Sequence, residues 1–273
     1  MQYKVLALDL DGTLTNNAKV ITPRTKAALQ AAADRGVRIV LASRPPRPWA
    51  FEPLAKELEL DRRGGCILSY NGGKIIDCKT GETLVQHEFP PELIDPVCIF
   101  ARYWNVMPLT YDAKGIVTED AANPYVGEEA RINKIPARQV ENLPAEIQWP
   151  INKLLLVGDP VDMPHVEELM QQKFAGKLSI YRSAPFFIET MPLGVEKSAS
   201  LALLLKNMGL GPENLMACGD GWNDLPMIRY AGMGVAMGNA VPEVKQAAKY
   251  VTADNEHDGV GLAVEKFILE DPQ

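Results

Sequence analysis

Residues 5–14 read Val5-Leu6-Ala7-Leu8-Asp9-Leu10-Asp11-Gly12-Thr13-Leu14, and this stretch decides the fold. Tyr3 to Leu10 is a short apolar run cut off by Asp11-Gly12, the pattern of a buried strand that ends in acids. Alternate side chains of a strand point the same way, so the spacing puts Asp9 and Asp11 on one face. Two neighbouring carboxylates repel each other unless a proton or cation lies between them. A hard cation such as Mg2+ suits them, because it prefers oxygen ligands. Gly12 frees the chain to turn, and backbone N–H groups there can face an anion. An acidic turn after a strand would look the same, so the stretch needs support from elsewhere in the chain.

That support comes from other apolar runs with similar endings. Thr22 can cap a helix that begins at Pro23 and stops at Gly36. Val37 to Leu41 is the next strand, with Ser43-Arg44 just beyond it, a hydroxyl and a guanidinium able to hold phosphate oxygens. Cys66 to Tyr70 is a third, closed by Asn71-Gly72-Gly73. Much later, Lys197 precedes a helix over Ser198 to Met208, a point charge placed for an anion. Leu215 to Cys218 reads as a strand ending in Gly219-Asp220-Gly221-Trp222-Asn223-Asp224, and Gly234 to Met237 as one ending in Gly238-Asn239. Alternating strands and helices of this kind imply an α/β fold, a doubly wound parallel sheet with helices on both faces. Ligands of such sheets bind outside the carboxyl ends of the strands, where these residues fall.

The middle of the chain is different. Pro91 to Trp104 and Met163 to Phe174 read as helices. Val106 to Tyr111 with Gly115 to Thr118 reads as a hairpin, and Lys153 to Val157, Ser179 to Tyr181 and Phe186 to Glu189 as further strands. None of them ends in an acidic or Gly-Asp cluster. Residues 86–186 are therefore expected to be an inserted α+β domain, with 1–85 and 187–273 forming the Rossmann-like core around it.

Composition narrows the function. The chain has 273 residues, 47% of them hydrophobic and 23% charged, which is ordinary globular composition and excludes a disordered or disulfide-scaffold protein. Asp plus Glu outnumber Lys plus Arg by 35 to 28, a net charge of −7 that argues against a general nucleic-acid binder. Cys66, Cys78, Cys98 and Cys218 form no CxxC pair and read as reduced thiols. The sequence from Met1 is no signal peptide, and no apolar run approaches the ~20 residues of a membrane span. A cytoplasmic protein with no membrane partner is expected, and the oligomeric state is not legible.

Taken in order, these stretches resemble the haloacid dehalogenase (HAD) superfamily of phosphohydrolases, and within it the Cof-type phosphatases, which carry a C2-type (C2B) cap inserted after the third core strand. Asp9-Leu10-Asp11-Gly12-Thr13-Leu14 matches the first motif, Ser43 the second, Lys197 the third and Gly219 to Asp224 the fourth. Ser69 to Gly73 and Val235 to Ala240 also look like that branch. One departure stands out: Ser43-Arg44-Pro45 occupies the place of the usual Thr-Gly-Arg, which leaves the role of Arg44 open.

The resemblance implies a phosphatase of small phosphorylated metabolites, sugar phosphates or similar esters, working through an aspartyl-phosphate. Asp9 is the implied nucleophile and Asp11 the acid and base. Mg2+ would be bound by Asp9, the Asp11 carbonyl and Asp220, with Asp224 acting through a water or from behind. Leu10 N–H, Ser43, Arg44, Lys197 and Asn223 would hold the phosphate, and Asn71, Gly72 and Asn239 are candidates to touch the substrate. The insertion would close over the core and choose the leaving group. A sugar phosphomutase of the same superfamily, and a non-catalytic phosphometabolite-binding protein, are the alternatives.

Overall fold

The computed structural model describes residues 2–42 and 48–270. They divide into two units, Met1–Gln86 with Glu196–Gln273, and His87–Val195, each built on its own apolar cluster. In chain order the strands are β1 (Val5–Leu8), β2 (Arg38–Ala42), β3 (Gly65–Ser69), β4 (Lys74–Asp77), β5 (Thr83–Gln86), β6 (Met107–Tyr111), β7 (Ile116–Thr118), β8 (Ala137–Gln139), β9 (Leu154–Val157), β10 (Leu178–Ala184), β11 (Phe187–Pro192), β12 (Leu215–Gly219), β13 (Met233–Ala236) and β14 (Tyr250–Val251).

The first unit is an eight-stranded sheet in the order β14-β13-β12-β1-β2-β3-β4-β5. It is parallel from β14 to β3, and β4 and β5 add antiparallel strands at one edge. Residues of β1, β3 and β12 are buried throughout, which is why these strands read as unbroken apolar runs rather than alternating ones. The chain steps outward from β1 through β2 to β3, then returns to lay β12 and β13 on the other side of β1. The strand order therefore reverses between β1 and β12, the position where a doubly wound sheet leaves a crevice. The two strands are in register, Leu8 beside Cys218, and the Asp9 N–H donates to the Cys218 carbonyl at 3.1 Å. Both acidic loops thus start side by side.

Thr22 caps the helix Pro23–Asp34 by accepting from the Thr25 N–H, as its sequence indicated. The extent of the first strand needs correction. Strand β1 ends at Leu8, not Leu10, so Asp9 and Asp11 lie in the following turn and the alternation of a strand no longer orients them. The hairpin β4–β5, absent from the expected strands, fills the chain between β3 and the second unit, which starts at His87 against the expected 86.

The second unit is a six-stranded sheet in the order β10-β11-β9-β6-β7-β8, antiparallel except where β7 pairs with β8. The helices Pro91–Tyr103 and Met163–Lys173 contribute Val97, Phe100, Val166 and Met170 to its core, with Leu154, Leu156 and Ile188 from the sheet. The end expected at residue 186 falls instead at Val195. Residues Phe187–Pro192 form β11, which is hydrogen-bonded between β9 and β10, so it cannot belong to the other sheet. No described helix is long and apolar enough to cross a membrane.

Candidate active site

Three chain segments converge at the carboxyl ends of β1 and β12. Asp9 follows β1, Lys197 opens the helix Lys197–Asn207, and Asp220 and Asp224 follow β12. Lys197 Nζ donates to Asp9 Oδ1 and to Asp224 Oδ1, both at 2.6 Å, and its side chain is 0% exposed. An ammonium so deeply buried is tolerable only because both partners are charged. The remaining oxygen of Asp224 accepts from the Asp220 and Gly221 N–H groups, each at 3.0 Å. Asp224 is therefore fully committed: it holds Lys197 with one oxygen and shapes the Asp220 loop with the other.

Asp220 is fixed from the other side. Thr13 Oγ1 donates to Asp220 Oδ1 at 3.0 Å, and Asn239 Nδ2 donates to the Gly12 carbonyl at 2.8 Å while reaching 3.5 Å from Asp220 Oδ2. Gly12 has φ +80°, and a Cβ there would collide with the Asp220 carboxylate. This is why the turn after Asp11 needs glycine.

Carboxylate oxygens of Asp9, Asp220 and Asp224 lie within 4.8 Å of one another, with Lys197 as the cation between two of them. Three carboxylates against one ammonium leave excess negative charge. Burial pushes the Asp9 carboxyl up to about 7; Lys197 opposes the rise and Asp224 adds to it. Burial also raises Asp220, against the Thr13 hydrogen bond. Lys197 goes the other way from most buried lysines. Burial alone would lower it, but the charges of Asp9 and Asp224 more than offset that, so it stays firmly protonated. An all-oxygen set with surplus charge fits a hard divalent cation.

Asp11, also expected in the metal set, keeps its carboxylate outside the cluster. It is exposed and pairs with Lys19 Nζ at 2.6 Å, because the chain has left β1 before reaching it. Leu10 is buried, and its carbonyl accepts from Thr15 N–H and Oγ1, each at 3.0 Å. Asn223 Nδ2 is 3.5 Å from Asp224 Oδ1, at the rim of the same turn. Ser43 and Arg44 lie outside the described residues. Of the substrate candidates, Asn239 is exposed but its amide is engaged by Gly12 and by the Asn255 N–H. Asn71 is half-buried in the turn after β3, and Gly72 is buried against the start of the Lys197 helix. Sequence reasoning assigned no part to Thr13, although it stood inside the quoted motif, and it missed Lys19, Asn255 and Ser200, whose buried hydroxyl donates to the Gly72 carbonyl. No local pattern marks these last three.

A family model described as haloacid dehalogenase-like hydrolase matches residues 6–264. The chain belongs to the haloacid dehalogenase-like hydrolases. A solved hydrolase of this kind from Bacteroides thetaiotaomicron is 44% identical, with a TM-score of 0.89 over 97% of this chain and 99% of its own. The 5-amino-6-(5-phospho-D-ribitylamino)uracil phosphatase YcsE of Bacillus subtilis is 30% identical over 98% of this chain and 97% of its own. The sugar phosphatase BT4131, of subclass IIB, is 26% identical with a TM-score of 0.75 over 97% of this chain and 98% of its own. This haloacid dehalogenase-like chain is an enzyme, a hydrolase with phosphatases of phosphoric monoesters as its relatives.

Proposed function

We propose that this hydrolase is a Mg2+-dependent phosphatase of small phosphorylated metabolites, sugar phosphates or related polyol esters, acting through an aspartyl-phosphate. The observation that carries the reading is the buried Asp9–Lys197–Asp224 chain beside Asp220, a nucleophile and its charge partners assembled from both ends of the sequence.

Asp9 is the nucleophile. Its carboxylate oxygen forms a bond to phosphorus as the ester P–O bond breaks, and Asp11 gives its proton to the leaving oxygen. Asp11 then takes a proton from water, whose oxygen bonds to phosphorus as the bond to Asp9 breaks, releasing inorganic phosphate. Lys197 offers positive charge to the phosphoryl oxygens and opposes the protonation of Asp9 that burial favours. Leu10 N–H, Ser43 and Asn223 complete the phosphate cradle. Asp9 and Asp220, with the Asp11 carbonyl, would hold Mg2+, which when bound offsets the repulsion between an anionic nucleophile and an anionic substrate. The substrate class follows the named relatives, which act on a ribityl phosphate and on sugar phosphates.

The test is phosphate release from sugar phosphates, ribityl phosphates, nucleotides and flavin mononucleotide, with Mg2+ and with a chelator. Release that needs Mg2+ and favours the sugar and ribityl esters is expected. Isomerised sugar phosphate without free phosphate would instead identify a mutase and overturn hydrolysis.

A further inference from the structure

The helix that carries Lys197 begins weakly. Its cap residue, Glu196, accepts from the Ser198 hydroxyl, but its side chain caps no backbone N–H of the first turn. Lys197 is the first helical residue, where helices fray. Yet its ammonium meets two carboxylates at 2.6 Å. A lysine side chain has four flexible bonds, so such placement needs a fixed backbone beneath it.

The turn after β3 supplies the fixture. Tyr70, Asn71 and Gly72 are consecutive residues with φ of 53°, 51° and 113°. Two non-glycine residues in that region in succession persist only where the surroundings hold them. The turn packs directly on the helix start: a Cβ on Gly72 would lie 2.5 Å from the carbonyl carbon and oxygen of Glu196 and 3.0 Å from the Lys197 nitrogen. Ser200, 0% exposed and three residues beyond Lys197, donates its hydroxyl to the Gly72 carbonyl. This buried bond ties the first helical turn to the strained one.

We propose that the Tyr70–Gly72 turn, through Gly72 and the Ser200 hydroxyl, is the positioning element for Lys197, setting the depth of its ammonium between Asp9 and Asp224. The inference rests on the reading of Lys197 as a catalytic cation, and it gives Gly72 a task in packing rather than in touching substrate.

Ser200→Ala tests it, because the change is small and leaves the fold intact. In wild-type background it is expected to lower kcat roughly tenfold with KM nearly unchanged. In a Lys197→Met background it should lower kcat no further, since the group it positions is gone. Competitive acetylation read by mass spectrometry follows the same residue without any turnover. Ser200→Ala should raise labelling of Lys197 about threefold relative to the exposed Lys206 on the same helix. Unchanged labelling, or a kcat loss of the same size with Lys197 absent, overturns the proposal. Raised labelling in a protein that releases no phosphate from any ester would sink the phosphatase reading and leave the positioning role standing.

Discussion

Asp9 has opposing influences acting on one carboxyl. Burial drives its affinity for a proton up, and Lys197 pulls it back, with a net value of about 7. A folded-state value above the ordinary ~4 means that the native state binds the proton more tightly than the unfolded chain does. The resulting stability is present below pH ~4 and is lost as pH rises through about 7. In Mg2+-free buffer, the melting temperature of wild type relative to Asp9→Asn should therefore fall across that interval. Mg2+ added at pH 8 should restore the wild type and leave the variant unmoved. Identical pH slopes in the two proteins would remove Asp9 from the account. The same variant should lose phosphate release by about a thousandfold or more, as expected when a nucleophile is removed. Asp9, Lys197, Asp220 and Asp224 were legible in the sequence because each sits where an apolar run breaks at a glycine or opens a helix. Thr13 was not assigned, since its hydroxyl matters only through Asp220, 207 residues away, and no local pattern encodes that approach.

Turns after strands hold this site together, and their backbone demands are specific. Gly12 combines φ +80° with the Asp220 carboxylate against the place where a side chain would begin. Gly12→Ala is expected to cost ~1–3 kcal/mol in urea denaturation and to depress phosphate release along with it. An alanine variant with wild-type stability would show that the turn relaxes freely. The buried parallel strands were readable to within a residue or two because burial on both faces makes them uniformly apolar. Hairpin β4–β5 escaped because its strands are four residues each and set their apolar residues side by side, Ile75-Ile76 and Leu84-Val85, so that the alternating burial of β4 is not written in its residue types. Strand β11 is legible among the strands of the middle block, but the boundary at 186 cuts it away from them, since pairing partners are chosen in three dimensions and a strand's own composition does not name them.

The described residues form two apolar clusters with no member in common. Every strand of the six-stranded sheet finds its partners within His87–Val195. Residues 87–195 expressed alone are accordingly expected to give a cooperative thermal transition with a mixed helix and sheet spectrum. A non-cooperative, unfolded product would show that the rest of the chain is required. The eight-stranded sheet has the opposite character, because its first strand must wait for its twelfth. During synthesis β1 leaves the ribosome long before the partner for one of its edges exists, and the N–H and C=O groups of that edge stay unpaired by the sheet until the last part of the chain arrives. Until then β1 has β2 as its one neighbour in the sheet, and a chain that stops before Leu215 lacks both the second neighbour of β1 and the carboxylates of Asp220 and Asp224.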